Sequence, residues 1–345
     1  MKCHVVSTLA CLISALSFAA KPAAPSAHLI ENVPWHQQIN GLFCGDGSLE
    51  IVFDHWGPDI SQRAIANVAR TSSMGTWSDD IRRAGHFSHL SAAQGRFYPN
   101  EGPVAGFAER WLGYASFSHA AAAPWLEELK GLIADNIPVV MLMQFARDGT
   151  GGGHYRVAVG YDDVQGVIYF SDPWGRDMRY LPGTDGLVAW TYQEVITSWN
   201  YAEYGTPLPF FGVAIFPWSV DLRVSGRVEP GSTVTVRAVV SYPCPAPFDE
   251  DQYPASEAVA ELTVPPGMTV LGSSSAALGS VPAGSSRTVS WRVRVNGDVS
   301  GESLTVTARG RITGSAPEAA WAGGNVVYPP YVYTDEIGGV GLIGW

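Results

Sequence analysis

Apolar residues at Leu49, Val52, Phe53 and Trp56 recur at the i, i+3, i+4, i+7 spacing of a helix packed on a core. That spacing puts Cys44 at the amino end of the helix. Asp59, followed three residues on by Gln62, has the spacing of a capping box, and Ala64, Ile65, Val68 and Ala69 continue a second helix. Met74 to His119 mixes Gly, Ser, His and aromatics without a clear period, which predicts short helices and loops over a cleft. Pro124 opens another helix, with Trp125, Leu126, Leu129, Leu132 and Ile133 inward and an end near Asn136. Val139 to Phe145 is almost continuously apolar, as in a strand buried on both faces. The runs Tyr155 to Tyr161 and Val167 to Ser171 flank Asp162-Asp163-Val164-Gln165-Gly166, which is hairpin chemistry, and Phe210 to Trp218 reads as a closing strand. Helices first and an antiparallel sheet afterwards predict an α+β domain over residues 32–218.

From Ser219 the helical period vanishes. Alternation takes over at Val220, Leu222 and Val224, at Val234 to Val240, at Val289 to Val295 and at Leu304 to Ala308, with Gly and Pro between the runs. Short strands at this spacing predict an all-β immunoglobulin-like sandwich over residues 219–345, with Val327 to Thr334 as its last strand.

The first residues bear on the compartment. Lys2, an apolar run from Val5 to Ala20 and small residues at Ser17-Phe18-Ala19 read as a signal peptide over residues 1–20. The run is shorter than the roughly 20 apolar residues that span a bilayer. Residues 21–31, rich in Ala and Pro, read as a linker, so the expected product is secreted and soluble, with no membrane span in the mature form. Cleavage leaves two cysteines, Cys44 and Cys244, which excludes a disulfide framework. The formal net charge is −11 with no basic run, so nucleic-acid binding is not expected. No HExxH or Cys/His ligand spacing occurs, and neither a metal nor another cofactor is expected.

Against this background Gln38, Cys44, His154 and Asp172 stand out, in that order along the chain. A thiol attacks a carbonyl as thiolate, and a helix amino end together with an imidazolium lowers its pKa. Cys44 has the first by position, and His154 can supply the second and shuttle the proton. A hairpin centred near Val164 pairs residues whose numbers sum to about 328, which sets Asp172 opposite Arg156, diagonal to His154 and on its face. Asp172 can then fix the histidine's tautomer, or simply cap the turn at Pro173; Asp162 and Asp163 sit at the turn tip, too far away. Gln38 can turn its amide toward an oxyanion beside the Cys44 N–H, with Gln37 its adjacent rival. Cys244, between two prolines, has no such context, and the Gly-rich stretch before His154 reads as a flap beside the cleft.

The runs VPWHQQINGLFCGDGSLEIVFDHWG, GGGHYRVAVGYDD and IYFSDPWG resemble the bacteriocin-processing cysteine peptidases, to which the double-glycine leader peptidases belong. The resemblance covers Asn32 to Gly175. It implies a papain-like fold, a peptide or protein substrate, no cofactor, and the catalytic set Cys44, His154, Asp172 and Gln38. Asp46-Gly47 stands where the family commonly has Pro and a small residue. Two other readings share these residues: a papain-like acyltransferase or transglutaminase, and a non-enzymatic secreted binding protein whose sandwich contacts a surface, glycan or protein.

Overall fold

The computed structural model describes residues 24–57, 59–93, 107, 109–175, 181–249, 253–320 and 326–345. The signal peptide expected over residues 1–20 and the first linker residues lie outside them. The first unit runs β1 (Ala27–Leu29), α1 (Cys44–Trp56), α2 (Gln62–Val68), α3 (Ser78–Ala84), β2 (Ala115–His119) and α4 (Leu126–Ala134). It continues with β3 (Val139–Gln144), β4 (Gly153–Asp162), β5 (Val167–Ser171), β6 (Leu187–Thr191), α5 (Tyr192–Trp199), β7 (Asn200–Glu203), β8 (Thr206–Pro209) and β9 (Gly212–Phe216). One antiparallel sheet in the order β2-β9-β3-β4-β5-β6 organises it, and β1 pairs with the far end of β4. Residues 27–29, read as linker, are therefore an edge strand, and Asp163 N donates to Ser26 O at 2.8 Å to extend the pairing.

The alternation of strand side chains explains why β3 is apolar throughout. Val140 and Leu142, with Tyr155, Val157 and Val159 of β4, join α1 residues Leu49, Val52 and Phe53 in one core. Val139, Met141 and Met143 face the other way, into a core shared with Leu129, Leu132 and Ile133 of α4 and Trp199 of α5. Each face thus has its own helical cover. The start of α2 differs from the expected capping box: Ser61, not Asp59, is the cap, accepting from Ala64 N. Gln62 is thereby freed for another task.

Among its described residues the second unit is entirely β: β10 (Ser219–Ser225), β11 (Thr233–Ser241), β12 (Ala255–Thr263), β13 (Met268–Val270), β14 (Ser275–Val281), β15 (Ser286–Val295), β16 (Ser303–Ala316), β17 (Ala319–Ala320), β18 (Val326–Tyr328) and β19 (Tyr331–Gly344). Two four-stranded antiparallel sheets, β10-β11-β15-β13 and β14-β12-β16-β19, bury Val234, Val236 and Trp291 of one with Ala260, Val306 and Ile312 of the other. The last strand runs well beyond the Thr334 end expected for it. A Cβ at Gly339 would overlap the Trp218 carbonyl, so glycines that mask the alternation are what let β19 lie against the chain entering β10.

The two units join through paired backbone and aromatic packing. Gly113 N donates to Glu336 O at 2.7 Å and Gly338 N to Gly113 O at 3.1 Å. Phe117 meets Tyr242 at 5.8 Å, and Trp125 meets Phe248 at 6.3 Å between ring centroids. Among the described residues no helix is long and apolar enough to cross a membrane.

Candidate active site

Helix α1 begins at Cys44 itself. Its first turn is held tightly: a Cβ at Gly45 would press on Ile81 and Thr76, so glycine there lets α3 and its leading loop close against α1. Burial is the largest influence on the Cys44 thiol and, with the charges of Asp46 and Asp172, lifts its pKa to about 11 against the lowering effect of the Tyr155 and Gly45 backbone. This reverses the expectation of a lowered thiol. The helix end contributes as expected, but desolvation of the anion is the larger effect. Asp46 is itself buried, with Oδ1 accepting from Thr71 Oγ1 at 2.8 Å and Oδ2 without a partner among the described residues. Its carboxyl is raised well above its ordinary value, first by burial.

His154 lies at the start of β4, beside the Tyr155 amide that faces the sulfur. Its Nε2 meets Asp172 Oδ1 at 2.9 Å, and its ring is walled by Phe145 and Trp174 at 5.2 and 6.0 Å between centroids. The hairpin register delivers this pair: Val157 faces Ser171 and Ala158 faces Phe170, sums of 328, after an irregularity between Ala158 and Gly160 shifts the ladder by one. Asp172 Oδ1 also accepts from Trp174 N at 2.9 Å, so the turn cap and the imidazole partner are one carboxylate. Oδ2 accepts from Arg156 Nε at 2.6 Å.

The charges follow from this arrangement. Burial alone would raise Asp172, but the charges of His154 and Arg156 and the bonds from His154 and Trp174 N hold it well below the carboxylate range. Burial lowers His154, and Arg156 adds to that, while Asp172 opposes both; the net direction is down. Among the described residues no hydrogen bond joins Cys44 to His154. Such contacts commonly tighten only once substrate is bound.

The segment before α1 is sewn to the Asp172 turn. Trp35 Nε1 donates to Asp172 O at 2.7 Å and Gln38 N to Pro173 O at 2.7 Å. A Cβ at Gly186, where φ is +72°, would overlap the Trp35 indole, so only glycine fits there. Gln38 is 4% exposed and lies across from Gly47 in the first turn of α1, whereas the Gln37 side chain lies over Gly175. The two adjacent glutamines thus have different surroundings, Gln38 against the first turn of α1 and Gln37 over Gly175. The Gln38 amide is presently engaged: Nε2 donates to Asn40 O at 2.6 Å, and Oε1 has no partner among the described residues.

Three residues around this site had no assigned part in the sequence reading. Gln62 clamps the Gln38 turn, with Oε1 accepting from Ile39 N at 3.0 Å and Nε2 donating to Gln37 O at 3.0 Å and to buried Glu50 Oε2 at 2.6 Å. The spacing from Asp59 to Gln62 imitates a capping box, but Ser61 caps α2 and Gln62 serves this clamp. Tyr201 of β7 lies so close over Gly153 that a Cβ there would touch its hydroxyl at 2.5 Å. Arg156 is wholly buried. Neither Cys44 nor Cys244 is in a disulfide, and the stretch before His154 forms a turn closed by Phe145 N to Gly152 O at 2.9 Å. Among the described residues no group of three or more His, Cys, Asp or Glu is placed to hold a metal.

A buried imidazole with an ionised carboxylate on one nitrogen, near a thiol at a helix amino end, can deprotonate that thiol and return the proton to a departing amine. The family model of the Peptidase_C39-like family matches residues 30–205. Among solved structures the chain is similar to xylellain, a cysteine protease from Xylella fastidiosa, at 15% identity, covering 56% of this chain and 87% of that one with a TM-score of 0.38. It is similar also to the peptidase domain of Streptococcus ComA, a bi-functional ABC transporter involved in quorum sensing, at 15% identity, 54% and 98% coverage and a TM-score of 0.32. No curated protein matches the chain.

Proposed function

The chain belongs to the Peptidase_C39-like family of cysteine peptidases, and on that premise we propose that it hydrolyses peptide bonds with Cys44 as nucleophile, His154 as base and Asp172 as its orienting partner. The observation that carries this reading is the 2.9 Å bond from His154 Nε2 to a buried, ionised Asp172. It commits one ring nitrogen and leaves Nδ1 for the proton of Cys44. As the sulfur attacks the carbonyl carbon, Nδ1 takes the thiol proton and later gives it to the leaving amine. Water then cleaves the thioester. The oxyanion is held by the Cys44 N–H and by Gln38 Nε2, which leaves Asn40 O to reach it. Each such donor is typically worth about 3 kcal/mol.

The same reading extends to the rest of the chain. The protein is exported by way of residues 1–20, and the two-sheet unit from Ser219 is an immunoglobulin-like sandwich that holds the peptidase at a surface, glycan or protein. The test of the peptidase reading is a diverse peptide library incubated with the purified protein and read by mass spectrometry. New termini are expected with the wild type and none with Cys44→Ala; identical termini from both would refute it.

A further inference from the structure

Arg156 is the largest charged investment near the site that the reaction above leaves unused. It is 0% exposed, and its guanidinium makes three hydrogen bonds: Nε to Asp172 Oδ2 at 2.6 Å, Nη1 to Gln144 O at 3.1 Å and Nη2 to Phe145 O at 2.6 Å. The plane rests on the Trp190 ring at 4.3 Å. Burying a cation this completely is costly unless it is paired and hydrogen-bonded, and here both conditions are met. The carbonyls it holds end β3 just before the turn that leads into His154, so one side chain fixes the carboxylate partner of the imidazole and the loop beside it.

The geometry also divides the carboxylate. Oδ1 accepts from His154 and Trp174 N, while Oδ2 accepts from Arg156, so the charge of Asp172 faces a permanent cation on one side and a titratable ring on the other. Resting on the peptidase reading, we propose that Arg156 is a positioning residue: it clamps Asp172 from the side opposite His154, fixing the carboxylate that orients the imidazole toward Cys44 and weakening that carboxylate's pull on the imidazole proton. The net downward direction for His154, to which burial and Arg156 both contribute against Asp172, agrees with this role. The charged and titratable groups around His154 are Asp172 after β5, Arg156 on β4, Cys44 at the start of α1 with Asp46 beside it in the same helix, and Arg147 in the β3–β4 turn; Arg147 pairs with Glu194 of α5 at 3.1 Å.

The experiment reads the His154 ring directly by NMR of the histidine-labelled protein, in a Cys44→Ala background so that thiol titration does not intrude. In that background His154 is expected to titrate below its ordinary 6.5. Arg156→Met is expected to move it up by about one pH unit, the size of effect that one nearby charge exerts on a buried group. Arg156→Lys keeps the charge and is expected to leave the titration in place while loosening the Asp172 fork. A wild-type-like value in a folded Arg156→Met overturns the proposal. Should that variant not fold, a His154 titrating above 6.5 in the Cys44→Ala protein overturns it instead. Because the readout needs no turnover, it is separable from the peptidase reading, which fails on its own if library cleavage does not depend on Cys44.

Discussion

Replacing Asp172 by Asn should cost more stability than its near-identical shape implies. The Asn Oδ1 can keep the bonds from His154 Nε2 and Trp174 N, each 2.9 Å long in the wild type. Its amide nitrogen, however, would meet the Arg156 Nε–H across a 2.6 Å gap built for an acceptor. Arg156 would then be a cation with no exposed surface and no counter-charge. Breaking a buried pair in this way costs about 3–5 kcal/mol. Arg156→Met leaves the complementary orphan, a buried carboxylate, and should cost about 3–5 kcal/mol. The double variant removes both charges, and its loss should fall short of the sum by about 2–3 kcal/mol. Urea unfolding followed by tryptophan fluorescence suits the measurement, since Trp174 and Trp190 flank the pair. With a slope of about 2 kcal/mol per molar urea, Asp172→Asn should shift the midpoint by about 1.5–2.5 M. If the double variant's loss equals the sum of the single losses within about 0.5 kcal/mol, the pair is not coupled and the reasoning is wrong.

Two other sites give independent predictions. His86 is 0% exposed with Nδ1 3.8 Å from Asp335 Oδ2, and burial, with Arg82 and Arg83 adding and the Ser116 backbone opposing, pushes it down to about 3. The unfolded chain therefore takes up a proton there below about 6.5 that the folded chain refuses, so stability falls as pH drops from that point toward 3. His86→Phe should abolish about 2–3 kcal/mol of the decline between neutral pH and about pH 4.5, measured by urea unfolding across pH; parallel curves for both proteins would contradict it. Gln62→Ala should release the Gln38 turn, costing about 1–3 kcal/mol through the unpaired Ile39 N and Glu50 carboxyl and lowering library cleavage, whereas unchanged stability and cleavage would show that the clamp is idle.

Where single segments decide their own shape, the sequence was legible. The i, i+3, i+4, i+7 stripe put Cys44 at the start of α1, and the hairpin arithmetic set Asp172 across from Arg156, where the guanidinium and carboxylate do meet. Periodicity says which face a residue takes, not how deeply a neighbouring element will bury it. For that reason a helix amino end promised a lowered thiol while the packed site raises it. The same limit hid Gln62, whose three-residue offset from Asp59 imitates a cap but whose amide crosses to Gln37 and Ile39, residues distant in sequence. Strand β1 was concealed by its short length and its Ala- and Pro-rich approach, and it exists only because β4 offers a free edge beyond β3. In β19, glycines needed for close backbone approach erased the alternation that marks the other strands.

The account rests on Cys44 reacting through His154. The rate of Cys44 alkylation by iodoacetamide, followed by peptide mapping from about pH 4 to 10, tests it most directly. The wild type should show a limb with its midpoint below 6.5, set by the His154 ring, and label Cys44 ahead of Cys244. His154→Ala should lose that limb and keep only a rise toward the thiol's own high pKa of about 11. Superimposable curves for the two proteins would contradict the account.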